Sequence, residues 1–411
     1  MVTIWQALWL DHPTFQNEER PLRAQWEDTK GRITALAKEI YDNQNSAPCP
    51  RPVELAALDK ALYQEHMTNP GGDRICSDVT VNGQKFHVYL RSFPRPFSLH
   101  DTQSGHLAFW LRHYRIVPAS IRGYSVDIKF LDSTSNKKLR GEGKIARVYL
   151  GTFPDGCTPD WSEKHKPYYV ADKITNPDRR LGSILQALEE AEQQGAQVVL
   201  FPELTVTVAH RQEICRWLNG REHPFLLVVP GSFHKGALPG EKAQSSCNDR
   251  RNQSCILNSA GVPLLEQDKL VPLFVRNRLE GNNSSSTEDK RCFEGVGSAE
   301  KIHLLDTDIG LIALAICRDL LQESSPITDI WESLAPDWIL VPSMSEGVSG
   351  HQLTAERLFR MYGTRVLVAN QCLAGKFEKA SHGFVSPLRI PLGEILPIAP
   401  HNRLANVSIP G

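Results

Sequence analysis

Apolar residues along this chain fall into two rhythms. Ile33, Leu36, Ala37 and Ile40 recur at helical spacing, which predicts an amphipathic helix over roughly 22–43. Ser46-Ala-Pro-Cys-Pro-Arg-Pro52 breaks it, and Val53 to Met67 predicts a second helix that stops at Asn69-Pro-Gly-Gly72. The period then shortens. Val79-Thr-Val81, Phe86–Leu90 and Tyr124–Phe130 read as strands, the first two joined by an Asn82-Gly83 turn. Ser133 to Gly143 is polar and glycine-containing, and reads as a domain boundary or as a hairpin loop.

From Ile145 onward buried-strand and helix patterns alternate, which implies α/β layers. Ile145–Phe153 reads as a strand, followed by a loop insertion up to Thr175. Asn176-Pro177-Asp178 opens a helix with Asn as cap, Pro in the first turn and an acid against the dipole. Its stripe is Leu181, Ile184, Leu185, Leu188 and Ala191, and Gly195 closes it. Val198–Glu203, Phe225–Val229, Ser254–Asn258, Pro263–Leu265, Gly310–Cys317, Trp338–Val341 and Arg365–Ala369 read as strands. A helix lies around Gln352–Met361, and a last hairpin runs from Phe384 to Leu396. Glu280 to Lys290 is polar and low in complexity, and predicts a surface loop.

Composition adds bounds. The chain has 411 residues, enough for two or three domains, and its 41% hydrophobic and 23% charged content is that of a globular protein. A formal net charge of -1 gives no general pull toward nucleic acid or an anionic membrane. One stretch between Arg91 and Arg115 is rich in aromatic and basic residues, and suits either nucleic-acid contact or packing with its Arg heads outward. Nine scattered cysteines without a C-x-x-C pair point to reduced thiols and a cytoplasmic location. No His/Cys spacing suits zinc, so no cofactor is expected. No uncharged apolar run approaches 18 residues, so no membrane span is expected.

Three apolar runs end in chemistry. The run from Gly310 rises into Cys317, with Arg318 and Asp319 directly after it. A thiol at a strand end is a nucleophile if a base takes its proton, and otherwise a core cysteine. Phe201-Pro-Glu203 ends another run in a carboxylate, which suits a general base if its surroundings are apolar. Lys269 follows the Pro263–Leu265 strand and could hold a developing oxyanion.

Taken in order, these motifs resemble the nitrilase, or carbon–nitrogen hydrolase, superfamily over residues 144–411. Phe201-Pro-Glu203, Lys269-Leu-Val-Pro-Leu273 and Ile316-Cys317-Arg-Asp319 match its three catalytic motifs. Asp337-Trp-Ile-Leu-Val-Pro-Ser343 and Val368-Ala-Asn370 match two further strands. The resemblance implies an α/β fold, an α-β-β-α sandwich; it does not reach residues 1–140, whose own pattern of helices and strands reads as an N-terminal α+β accessory domain. It implies a homodimer or higher homo-oligomer acting on a small-molecule amide. Glu203 would be the general base, Cys317 the nucleophile and Lys269 the stabiliser of the tetrahedral intermediate. Arg318 would bind substrate through its peptide N–H, and Glu280 is the candidate second acid. Arg318 stands where true nitrilases tend to have Trp-Glu, which favours an amide over a nitrile. Arg360-Met-Tyr-Gly-Thr-Arg365 also departs from the family's Arg-Ala-x-Glu-Asn pattern. The competing reading is a binding or assembly module on the same fold.

Overall fold

The computed structural model describes residues 77–81, 84–91, 114–131, 145–165, 168–235, 251–276, 291–296, 299–307, 309–321, 328–371, 382–386, 396–397 and 404–408. The helices expected at 22–43 and 53–67, the 133–143 boundary, Glu280 with its polar loop, and the 391–393 turn lie outside these residues.

In chain order the strands begin with β1 (Ser77–Val81), β2 (Gln84–Leu90), β3 (Tyr114–Pro118), β4 (Ser120–Ile121), β5 (Tyr124–Phe130), β6 (Ile145–Leu150), β7 (Pro159–His165) and β8 (Tyr168–Ile174). Helix α1 (Pro177–Gln193), β9 (Val198–Leu200), α2 (Val208–Asn219), β10 (Leu227–Val229) and β11 (Ser232–Lys235) follow. Then come β12 (Arg251–Asn258), β13 (Pro263–Asp268), β14 (Phe274–Arg276), β15 (Arg291–Glu294), β16 (Lys301–Thr307) and β17 (Gly310–Leu314). A 3-10 turn (Cys317–Leu320), α3 (Thr328–Leu334), β18 (Trp338–Ser343), α4 (Ser349–Tyr362), β19 (Arg365–Asn370), β20 (Gly383–Ser386), β21 (Leu396–Pro397) and β22 (Leu404–Ser408) complete them.

Two large sheets face each other. One runs β11-β12-β10-β9-β6-β22 with β13 added to β12; the other runs β21-β20-β19-β18-β17-β16-β5-β4. Strand alternation fills three layers. Val198, Leu200, Leu227 and Val229 meet Ile312, Leu314, Leu340 and Leu367 between the sheets. Val199, Phe201 and Val228 turn the other way, onto Ile184, Leu188, Ile214 and Trp217 of α1 and α2. Ala313, Ile339 and Val368 pack with Trp331, Ala355 and Leu358 of α3 and α4. The result is the four-layer α-β-β-α sandwich that the resemblance implies.

Two expectations need correction. The stretch after Phe153 is not all loop: β7 and β8 form a hairpin there and join β14 and β15 in a small sheet. Pro159–His165 reads Pro-Asp-Trp-Ser-Glu-Lys-His, and such polar content hides a strand from a hydrophobic pattern. The domain boundary at 140 also cuts the sandwich itself. β5 pairs in parallel with β16 from Lys301↔Ser125 to Asp306↔Phe130. Tyr89 of β2 and Val117 of β3 are buried in the same cluster as α3 and α4.

Arg115, one of the basic residues that suited nucleic acid, points inward instead. It is 4% exposed, donates to Asp337 Oδ2 at 2.6 Å and reaches the Ala335 carbonyl at 3.3 Å. Arg91 lies 3.7 Å from the same carboxylate. Gly310 faces it too: a Cβ there would come within 2.5 Å of Asp337, so only glycine fits at its φ of 114°.

Candidate active site

Glu203 follows β9, an interior strand, just past its C-terminal end. Leu204, next to it, holds φ 54°, a left-handed conformation that side chains disfavour. Its N–H donates to the Ser232 carbonyl at 2.7 Å. Gly231 makes this crossing possible, because a Cβ there would meet the Pro202 carbonyl oxygen at 2.2 Å.

Lys269 follows β13, and its Nζ sits between two carboxylates. It donates to Glu203 Oε1 and to Glu294 Oε2, each at 2.6 Å. The three residues are at most 2% exposed. Asn252 Nδ2 bridges the same acids, at 3.0 Å from Glu203 Oε1 and 2.8 Å from Glu294 Oε1. Backbone N–H groups of Met344 and Leu273 complete the two carboxylates, at 3.1 Å and 2.9 Å. Thus the acid that shares Lys269 with Glu203 is Glu294 on β15; Glu280 lies outside the described residues. Glu294 was missed because Arg291-Cys-Phe-Glu294 is too short and mixed to announce a buried strand.

The environments push the two acids apart. Burial raises Glu203, and Glu294 adds to the rise against the pull of Lys269. Burial acts against the charge of Glu294 as well, yet Lys269 and His234 hold it well below the usual carboxylate range. His234 Nδ1 accepts from the Ala171 N–H at 3.2 Å, so the ring proton is on Nε2, which lies 3.4 Å from Glu294 Oε1. Burial lowers Lys269, but Glu203 and Glu294 overcome it and the ammonium stays charged. Such a split leaves Glu203 the more easily protonated of the two acids, and Glu294 charged beside Lys269.

Cys317 opens the 3-10 turn after β17, and its φ is 50°. This places a side chain in a strained conformation, as is common where a nucleophile is presented on a sharp turn. Cys317 is 3% exposed. Burial pushes its thiol up to about 12, and Glu203 adds to the rise. Lys269 and hydrogen bonds from Ser343 and the Met344 N–H pull the other way. The nearby Cys317 thiol pulls Glu203 slightly back down. Arg318, next in the turn, is half-buried.

Asp319 ties this turn to the lysine. Its carboxylate accepts from the N–H groups of Leu270 at 3.0 Å, Val271 at 2.8 Å and Ile316 at 3.0 Å. Trp331 Nε1 donates to its carbonyl at 2.6 Å. The buried carboxylate therefore clamps the segment after Lys269 to the one before Cys317. Desolvation raises Asp319 to about 7, with Lys269 and the peptide N–H groups opposing it. On the other flank Arg180 grips Asp155 through Nε at 2.7 Å and Nη2 at 2.8 Å. It also reaches the Thr205 carbonyl at 3.1 Å, which fixes the chain just beyond Glu203.

The sandwich thus gathers Glu203, Lys269 and Cys317 from three separate elements. Among the described residues no His/Cys/Asp/Glu group is arranged to hold a metal ion, and no helix is long and apolar enough to cross a membrane.

Known protein families give no match to this chain, and neither do curated proteins. Solved structures do. An amidase from Nesterenkonia sp. is similar at 16% identity over 65% of this chain and 90% of that one, with a TM-score of 0.40. A mutant of the amidase from Nesterenkonia sp. AN1 in complex with butyramide gives 17% identity, 66% and 92% coverage, and 0.41. Nit3 of Saccharomyces cerevisiae, a member of branch 10 of the nitrilase superfamily, gives 14%, 64%, 90% and 0.43. At these scores the likeness adds nothing to the chemistry, which rests on the buried cluster itself.

Proposed function

We propose that this chain is a thiol-dependent hydrolase of a non-peptide carbon–nitrogen bond, in an amide rather than a nitrile, working through a thioester on Cys317. One observation carries the reading. A buried lysine shared by two carboxylates stands beside a strained, buried cysteine, and removing such charges from water has a stability cost that packing alone does not require.

In the first half-reaction Glu203 takes the Cys317 proton while the sulfur forms a bond to the amide carbon. Lys269, with the Arg318 N–H, stabilises the resulting oxyanion. The C–N bond breaks as the amine leaves with the proton from Glu203. In the second, Glu203 removes a proton from water, the hydroxide attacks the thioester, and the carboxylic acid departs as Cys317 regains its proton. The resemblance and the Arg318 position support the amide preference, and a small-molecule substrate follows from the same reading.

The test has two arms. Peptide-resolved alkylation with iodoacetamide should find Cys317 faster than the other thiols. A screen of small amides, carbamoyl amino acids and glutamine should find turnover that Cys317→Ala lacks. A Cys317 no faster than the rest, together with no turnover, would favour the binding-module reading.

A further inference from the structure

Cys317 has polar neighbours on a second side that the reaction above leaves unused. Ser343, at the end of β18 and fully buried, donates from Oγ to Cys317 Sγ at 3.6 Å. His351, in the first turn of α4 and 1% exposed, lies 3.3 Å by Nε2 from the Cys317 carbonyl and 3.4 Å from Ser343 Oγ. A carbonyl only accepts, so Nε2 carries the proton. Burial lowers His351 to about 4, which keeps the ring neutral. With its Nε2–H facing Ser343 Oγ as well, the imidazole cannot accept the serine proton through that atom. The hydroxyl proton is left for the sulfur or for Ser345 Oγ at 3.3 Å. Ser345 already donates to the Gly347 carbonyl at 2.8 Å and lies 3.1 Å from Asn370 Oδ1.

We propose that Ser343 is a further catalytic residue, its hydroxyl donating to the Cys317 sulfur as the thiolate forms. His351 is its positioning residue, holding both that hydroxyl and the strained Cys317 backbone. The inference rests on Cys317 being the nucleophile. No proton moves through this arm: the thiol proton goes to Glu203, and Ser343 keeps its own while its hydrogen bond to sulfur strengthens. The charged groups facing the sulfur are Glu203 and Lys269, and His351 contributes none, so the arm acts as an oriented dipole. The arrangement gives the sulfur a donor that works against the effect of burial where no water reaches it. It also explains a polar pair placed where an apolar core would otherwise continue from Val341.

The experiment follows iodoacetamide alkylation of Cys317 in the full chain between roughly pH 6 and 9, with half-buried Cys215 as the internal reference. Ser343→Ala, nearly isosteric, should slow Cys317 about tenfold and displace its profile to higher pH, as expected for about one pK unit lost from thiolate stabilisation. His351→Gln keeps a donor for the Cys317 carbonyl and should retain at least about a third of the wild-type rate, since the hydrogen bond survives. His351→Leu should be slow, and if it fails to fold, His351→Gln decides the matter. A wild-type Cys317 no faster than Cys215 refutes the hydrolase reading itself. A fast Cys317 with an unchanged pH profile in Ser343→Ala overturns only the present proposal. A loss in His351→Gln as large as that in Ser343→Ala overturns the positioning role.

Discussion

Replacing Lys269 with methionine keeps the length of the side chain and deletes its charge. Glu203 and Glu294, 2% and 1% exposed, would then face each other with Asn252 Nδ2 as their shared donor, one peptide N–H each, and His234 Nε2 at 3.4 Å from Glu294. Breaking a buried ion pair by removing one partner costs about 3–5 kcal/mol. Here one cation serves two acids, so the upper end applies at neutral pH. The variant can recover part of the loss by binding a proton between the carboxylates, as a close acid pair does. The sign follows. An acid whose folded pKa lies above its unfolded value makes the native state bind more protons, so stability is present at low pH and falls as pH rises through the folded pKa. Urea unfolding followed by tryptophan fluorescence should therefore show a deficit of several kcal/mol at about pH 8 that shrinks toward about pH 5, by up to about 1.4 kcal/mol per pH unit. A deficit below about 1 kcal/mol, or one identical at both pH values, would refute the picture of a single ammonium neutralising two buried acids.

Three further outcomes are expected. Cys317→Ala should abolish turnover on any amide found by the screen while leaving thermal unfolding close to wild type, because it removes little volume and keeps the same backbone conformation. Asp319→Asn turns an amide N–H₂ toward peptide N–H donors, so it should cost about 1–3 kcal/mol in urea unfolding and slow Cys317 alkylation; unchanged alkylation would mean the clamp is not needed for reactivity. A chain beginning at Gly141 should lose Cys317 reactivity and unfold at lower temperature, because it lacks β5 and leaves Asp337 without Arg115; full reactivity in that chain would restore the boundary at 140.

The parts legible in the sequence were those with long, uniform apolar runs. Val198–Leu200 and Gly310–Leu314 are buried on both faces, and their ends delivered Glu203 and Cys317. α1 was visible from its stripe and from Asn176-Pro177, although Asn176 caps by position only: it sits at φ 50° and makes no side-chain cap bond. α2 was overlooked despite a usable signal. Thr207 with His210 forms a capping box, and Ile214, Trp217 and Leu218 recur at helical spacing. The support of the site was harder to read. Asn252, Glu294, Ser343 and His351 are single polar residues on unrelated elements. Only the folded chain shows that they converge, since a lone buried polar residue leaves no periodic trace. Arg115 misled for a related reason: a basic residue among aromatics looks the same in sequence whether its partner is a phosphate or a buried Asp337.

The two sheets also set a schedule for synthesis. Ser125 of β5 bonds to a carbonyl 175 residues further on, beside β16. β6 takes β22 as its antiparallel neighbour, with Tyr149 opposite Leu404. A ribosome adding about 5–20 residues each second would leave β5 without its neighbour for roughly 9–35 s. During that interval β5 carries open backbone groups that any passing strand could take. Such distant pairing slows folding, because loops must close before the contacts reward it. Both sheets of the sandwich are therefore closed by strands that are made late in synthesis.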